Sequence, residues 1–252
     1  MSQHGKKYRQ ALGAIDREKL YSPVDAVRTL KELETASFDE AVEVHFRLGL
    51  NVRHAEQQLR GTLMLPHGTG KDVRIAVFAE GEKAKEAQEA GADVVGSADL
   101  ATQIENGFDD FDVAIATPDQ MGVVGKLGRI LGPRGKMPNP KTGTVTFDVG
   151  KAVRDSKAGK LEYRTDRGAN VHVSIGKKSF DAKSLLENYA TLIEEIVRAK
   201  PAAAKGRYIR GVTLTSTMGP GIHIDPARTR GIIEELDGDG AEAAQEEVAV
   251  AS

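Results

Sequence analysis

The sequence contains no cysteine and no tryptophan, and aromatic residues make up only 5% of its 252 positions. Without cysteine, disulfides and thiolate metal sites are ruled out, which fits a soluble protein of a reducing, cytoplasmic compartment. With so few aromatics, the core must be built mostly from aliphatic side chains. No apolar run approaches the roughly 18 residues that a membrane-spanning helix needs, so no membrane association is expected. The opening residues, Met1-Ser2-Gln3-His4-Gly5-Lys6-Lys7, are basic but lead into no apolar stretch, and are not expected to act as a secretory signal.

Catalytic and cofactor signatures are also scarce. The six histidines (His4, His45, His54, His67, His172 and His223) never fall at metal-ligand spacing. Asp109, Asp110 and Asp112 crowd together without a second ligand type and read as a solvated loop. Ser174-Ile175-Gly176-Lys177 and Lys141-Thr142-Gly143 match two pieces of a serine-acylase pattern, but the third piece is missing. A Walker loop fails twice, because Leu127 follows Gly125-Lys126 and Gln120 stands where the first glycine belongs. The turn Glu80-Gly81-Glu82, after the first strand of an α/β stretch, would repel a pyrophosphate. No cofactor and no metal are expected. An enzyme using the α/β stretch to bind a nucleotide is the alternative from another class.

What the chain does have is uneven charge. The net charge of −2 hides two opposed segments. Residues 68–120 carry 4 basic and 12 acidic residues, whereas 121–183 carry 14 basic and 5 acidic. Clustered Lys and Arg point to an anionic partner, since neutralised phosphates release condensed counterions. A solvated surface of charge pairs is the alternative on composition alone.

Periodicity outlines the elements. Ser22-Pro23 should cap a helix whose face carries Val24, Val27, Leu30 and Leu33. Residues 38–48 largely alternate, as a half-buried strand does, and 60–65 should form another. From 73 to 116 the pattern is strand, helix, strand, helix, strand, with Gly91 and Gly107 closing the helices, which predicts a small parallel sheet. Residues 121–143 are rich in glycine and cations, and the basic stretch from Gly125 to Lys141 within them reads as a loop. Strand character returns at 144–147, followed by a helix at 150–156. Beyond Gly159 come strands at 161–164 and 171–175, a helix at 181–199 and a strand at 208–216. The expected fold is an α+β first lobe built from both chain ends, with an inserted α/β Rossmann-like second lobe. The domains would be 1–67 plus 160–229, then 68–159, with the chain crossing at Gly68, Gly70 and Gly159 as a hinge. Residues 230–252 form an expected disordered acidic tail, since 231–252 have seven carboxylates and no cation.

Two motifs stand out. The first runs from Gly125 to Lys141 and contains Lys126, Arg129, Arg134, Lys136 and Lys141 among glycines and prolines. Glycines let backbone N–H groups approach phosphate, and the cations attract it. Gly125-Lys126-Leu127-Gly128 also fits the short GxxG clamp of some RNA binders. A rigid loop without a ligand is the plainer reading. The second motif, Thr213-Leu214-Thr215-Ser216-Thr217-Met218-Gly219-Pro220-Gly221, is a strand running into a hydroxyl-tipped glycine turn.

Together with other runs, these residues resemble the bacterial form of universal large-subunit ribosomal protein one, the "L-one" family of the ribosomal stalk beside the exit site. The likeness is carried by Gly5-Lys6-Lys7-Tyr8, Phe38-Asp39-Glu40, Leu59-Arg60-Gly61, Leu65-Pro66-His67-Gly68-Thr69-Gly70, the run from Leu131 to Val145, Ala158-Gly159-Lys160 and Ser216-Thr217-Met218-Gly219. They occur in family order across residues 1–229. The resemblance implies a structural constituent of the large ribosomal subunit that is not an enzyme and is a monomer away from the ribosome. It implies binding to large-subunit ribosomal RNA at the mobile stalk, assistance in releasing deacylated exit-site tRNA, and repression of the protein's own operon mRNA. By position it implies an RNA face of Phe38, Arg53, Arg164, His172, Thr217, Met218 and Gly219. Some positions differ from the family pattern. Ser37 replaces a lysine, Ala41 a hydroxyl residue, and His54-Ala55 a Lys-Ser pair. Lys136 replaces an apolar residue.

Overall fold

The computed structural model describes residues 5–227; the acidic tail expected at 230–252 lies outside the described residues. In chain order the elements are α1 (Lys6–Gly13), α2 (Pro23–Glu32), β1 (Ala41–Leu48), β2 (Arg60–Met64), β3 (Ile75–Phe78), α3 (Glu82–Glu89), β4 (Val94–Gly96), α4 (Ala98–Glu105), β5 (Val113–Ala116), α5 (Met121–Val124), α6 (Gly128–Leu131), α7 (Val149–Lys157), β6 (Lys160–Arg164), β7 (Asn170–Lys177), α8 (Ala182–Arg198), β8 (Ile209–Ser216) and β9 (Ile222–Ile224). The described residues divide into two compact units, one of 5–70 with 163–227 and one of Lys71–Glu162. A two-stranded sheet pairs β2 with β6.

The discontinuous unit is built on an antiparallel sheet in the order β7-β1-β8-β9. Alternation decides which face is buried. Val42, Val44, Phe46 and Leu48 of β1, Val171, Val173 and Ile175 of β7, and Val212 and Leu214 of β8 all point inward. Helices α2 and α8 cover that face. Ser22 accepts a hydrogen bond from the Asp25 N–H at 3.1 Å, and Pro23 takes the first helical position, so α2 starts as its sequence demands. Val24, Val27 and Leu30 then meet the sheet. In α8, Leu185, Leu186, Tyr189, Leu192, Ile193 and Ile196 form a continuous apolar stripe, each contributing about 1.5–3 kcal/mol if fully buried. Asn188, with no exposed surface, interrupts this stripe usefully. It accepts from the His67 N–H at 3.1 Å and donates to the carbonyls of Gly68 and Ile175 at 3.0 and 2.7 Å. It ties the 67–68 segment to β7.

The second unit holds a parallel sheet in the order β4-β3-β5. All four residues of β3 are buried because it is central and covered on both sides. Ala76 and Phe78 face a cluster with Leu100, Ile104, Leu127 and Leu131. Ile75 and Val77 face another with Ala87, Val149 and Val153. Two expectations need correction. Residues 121–131 are largely helical, so the stretch from Gly125 does not begin as a loop, because Val124, Leu127 and Leu131 recur at helical spacing and bury completely; Gly125 and Gly128 sit there at ordinary helical φ. Strand character at 144–147 shrinks to a single parallel bridge between Ala116 and Val145.

Candidate nucleic-acid interface

The outer face of the four-stranded sheet carries no helix among the described residues. Its outward positions are Glu43, His45 and Arg47 on β1, Asn170, His172 and Ser174 on β7, Thr213 and Thr215 on β8, and His223 on β9. The register lines up four of them across the sheet: His172 opposite His45, His45 opposite Thr213, and Thr213 opposite His223. His45 and His172 share a hydrogen bond between their Nδ1 atoms at 2.9 Å, and the rings meet edge to face. Burial, then the neighbouring His172, holds the His45 pKa below its ordinary value, while Glu43 at 3.8 Å opposes that shift. Asp166 lies 3.5 Å from the other side of His172. Sequence reading singled out His172 but not its partners, because only strand register brings them together.

One end of the sheet forms a tip from three chain segments. Phe38 sits in a bend just before β1 and is 56% exposed. The strand predicted from 38 begins instead at Ala41, because the carboxylates of Asp39 and Glu40 bond to other segments. Asp39 accepts from the N–H and hydroxyl of Ser179 at 3.0 and 2.8 Å. Glu40, 1% exposed, accepts from the Met218 N–H at 2.8 Å, the Ser216 hydroxyl at 3.1 Å and the Thr35 hydroxyl at 2.5 Å. The Thr217 N–H donates to the Ala41 carbonyl at 3.1 Å, and the Thr217 hydroxyl accepts from the Ala41 N–H at 3.0 Å. That leaves the hydroxyl proton to point at Ala41 O, a long 3.4 Å away, or outward. Met218 is 56% exposed beside it. At Gly219 a Cβ would lie 2.4 Å from Ser216 Oγ, so a side chain there would displace a buried hydroxyl.

The implied RNA-face residues do not form one cluster. Phe38, Thr217, Met218 and Gly219 gather at the tip and His172 lies mid-sheet. Arg53 follows the far end of β1, and Arg164 precedes the Thr165–Val171 bridge at that same far end. Eight residues of strand, about 26 Å, separate the ends. Both arginines are exposed. Glu40 was visible in the sequence only as part of the run that carries the family likeness; nothing in its local pattern announced a buried carboxylate.

In the second unit, the five cations of the glycine-rich stretch are not equivalent. Lys126 and Arg129 project from the short helical segments, and Lys141 is exposed on a 3-10 turn. Arg134 lies 3.0 Å from Asp109. Lys136, with only 19% of its side chain exposed, reaches Asp109 Oδ1 at 2.7 Å and the Phe111 carbonyl at 2.6 Å. Its ammonium also sits 4.9 Å over the Phe111 ring. Lys136 is the chief reason the Asp109 carboxyl titrates below the usual carboxylate range. Asp110 pairs with Arg74, and Asp112 with Lys71 at 2.5 Å. The aspartate cluster read as a solvated loop is thus a set of ion pairs, and part of the charge contrast seen in the sequence is neutralised inside one unit.

Among the described residues no helix is long and apolar enough to cross a membrane, and no group of His, Asp and Glu could hold a metal ion. Comparison with known proteins gives a consistent result. Residues 30–220 match the family described as "Ribosomal protein L1p/L10e family". The large ribosomal subunit protein uL1 of Rubrobacter xylanophilus is 61% identical over 227 residues, covering 90% of this chain and 99% of that relative. The protein of the same name from Thermobifida fusca is 60% identical over 225 residues, covering 89% of this chain and 96% of its own.

Proposed function

Because the chain belongs to the ribosomal protein L1p/L10e family, we propose that it is a structural constituent of the large ribosomal subunit, in the cytoplasm, that grips folded ribosomal RNA at the mobile stalk. The family is one of ribosomal structural proteins rather than enzymes. The observation that carries the RNA-binding reading is the tip. Two large apolar side chains, Phe38 and Met218, are each 56% exposed on a hydrogen-bonded scaffold. The Thr217 hydroxyl lies between their segments, next to an open, polar sheet face. Exposed apolar groups held this firmly suit packing on a sugar or base, and a directional hydroxyl suits a ribose 2′-OH. His172, Arg53 and Arg164 extend the contact along the sheet. The arginines supply phosphate attraction that positions the RNA without reading it.

The discontinuous unit is the RNA-binding domain in this reading, and the inserted α/β unit is a second arm. Lys126, Arg129 and Lys141, exposed cations of the glycine-rich stretch, would meet a second nucleic acid, deacylated tRNA leaving the exit site, while Lys136 serves its own fold. Gly68, Gly70 and Gly159, at φ of 62°, 67° and 100°, would act as the hinge of that arm. A Cβ at Gly70 would meet the Phe180 ring at 2.7 Å, so this glycine is also a packing position. Repression of the protein's own mRNA would use the same tip on a similar RNA fold. Sucrose-gradient fractionation tests the central claim. The protein should travel with large subunits and leave them only in high salt. A protein that stays at the top of the gradient in low salt would refute it.

A further inference from the structure

We propose that Glu40 is a positioning residue of the RNA-binding tip: its buried carboxylate holds the Thr217–Met218 segment in the shape that meets ribosomal RNA. The inference rests on the RNA-binding reading above. A carboxylate is the wrong charge for a phosphate partner, and burying one is costly unless its oxygens are satisfied. Glu40 is 1% exposed at the very end of the sheet where RNA is expected. It is satisfied from both sides. Oε1 takes the Met218 N–H and the Ser216 hydroxyl, at 2.8 and 3.1 Å. Oε2 takes the Thr35 hydroxyl at 2.5 Å, and the Lys178 ammonium stands 4.0 Å away. The Glu40 carbonyl also accepts from the Lys178 N–H at 2.8 Å. One side chain therefore joins the α2–β1 connection, the turn after β7 and the end of β8.

This arrangement assigns directions to the tip. The Met218 N–H points inward to Glu40, so RNA meets the Met218 side chain and not its amide. Gly219 belongs to the same device, because its missing Cβ leaves room for Ser216 Oγ in the orientation that donates to Glu40. Without the carboxylate the Met218 N–H and two hydroxyls lose their acceptor, and the segment is free to turn.

The test is filter binding of a large-subunit rRNA stalk transcript to the full chain across a salt series, with thermal unfolding of each variant. Glu40→Leu should weaken binding by about tenfold or more at temperatures where it remains folded, with an unchanged salt slope. The sign is diagnostic. Removing a negative charge near RNA would by electrostatics alone tighten binding. Glu40→Gln should recover to within about threefold of wild type, because an amide oxygen still accepts from the Met218 N–H and the Thr35 hydroxyl can reverse to accept. If Glu40→Leu does not fold, Thr35→Val and Ser216→Ala each remove one arm of the network and should each weaken binding severalfold at temperatures where they remain folded. Wild-type affinity in these variants, or in a folded Glu40→Leu, would overturn the proposal while leaving the RNA-binding reading intact. A Glu40→Gln protein as weak as Glu40→Leu would overturn it as well. Failure of the wild-type chain to bind the transcript would instead overturn the reading, and this inference with it.

Discussion

Thr217→Val is the most discriminating perturbation of the tip, because valine keeps the shape and removes only the hydroxyl. In the folded protein that hydroxyl accepts one hydrogen bond, from the Ala41 N–H at 3.0 Å, while the adjacent backbone bond from Thr217 N–H to Ala41 O at 3.1 Å survives the change. The lost bond is solvent-accessible, so the stability cost should not exceed about 1 kcal/mol. Binding should suffer more. A ribose hydroxyl left without its partner in a closed interface costs about 1–3 kcal/mol, or roughly tenfold or more in affinity. The salt slope should not move, since no cation is lost. Lys141→Ala is the opposite case. With deacylated tRNA, the ligand proposed for the second arm, it should lower the slope by about 0.7–0.9 with a modest, sequence-independent loss, as expected for one fewer phosphate contact. Lys136→Ala provides the internal control. Its ammonium is already engaged by Asp109 and the Phe111 carbonyl, so the slope should change little while stability falls. Filter binding over a salt series, with urea unfolding of each variant, separates the three. If Thr217→Val binds the stalk transcript as wild type does, the hydroxyl serves only the sheet end. If Lys136→Ala lowers the slope as far as Lys141→Ala, the internal pairing does not govern that cation.

Three further outcomes are expected. Asn188→Ala removes the partner of the His67 N–H and of the Gly68 and Ile175 carbonyls, and should cost about 2–4 kcal/mol in urea unfolding; a loss under about 1 kcal/mol would show that water replaces it. His45, whose pKa is depressed below 6.5, contributes stability that is complete above that value and is lost as pH falls through it toward the folded-state value. The unfolding free energy should therefore fall as the pH drops through about 6.5, by at most about 1.4 kcal/mol per pH unit for this proton, and His45→Gln should flatten the drop; an equally steep wild-type and variant profile would place the effect elsewhere. Deleting residues 231–252 removes seven carboxylates and should leave RNA affinity unchanged or slightly tighter, whereas a clear loss would mean the tail itself engages RNA.

Much of the architecture was legible because it is written in local periods. Val24, Val27 and Leu30 mark a helix face, β1 alternates, and the apolar run at 75–78 belongs to a strand covered on both sides; each pattern needs only its neighbours in sequence. The family runs were equally local. Where sequence reading went astray, two local signals competed. From 125 to 131 the glycines suggested a loop, but Val124, Leu127 and Leu131 at helical spacing prevailed, because burying three aliphatic side chains outweighs the helix cost of glycine, about 1 kcal/mol each.

The sequence alone determined the residue types available, the polarised charge, the helix and strand periods and the family. It could not say which polar groups meet. Glu40 and Met218 are 178 positions apart, and His45 and His172 are 127 apart; only the closing of β7, β1 and β8 into one sheet brings either pair within hydrogen-bond distance. The same holds for the cations. In the sequence Lys136 and Lys141 are two positive charges in one motif, whereas in the folded unit the first lies on Asp109 and the second faces solvent. A hydrogen bond or ion pair depends on distances of about 3 Å, and those are fixed by packing between segments remote in the chain rather than by the order of residues within any one of them.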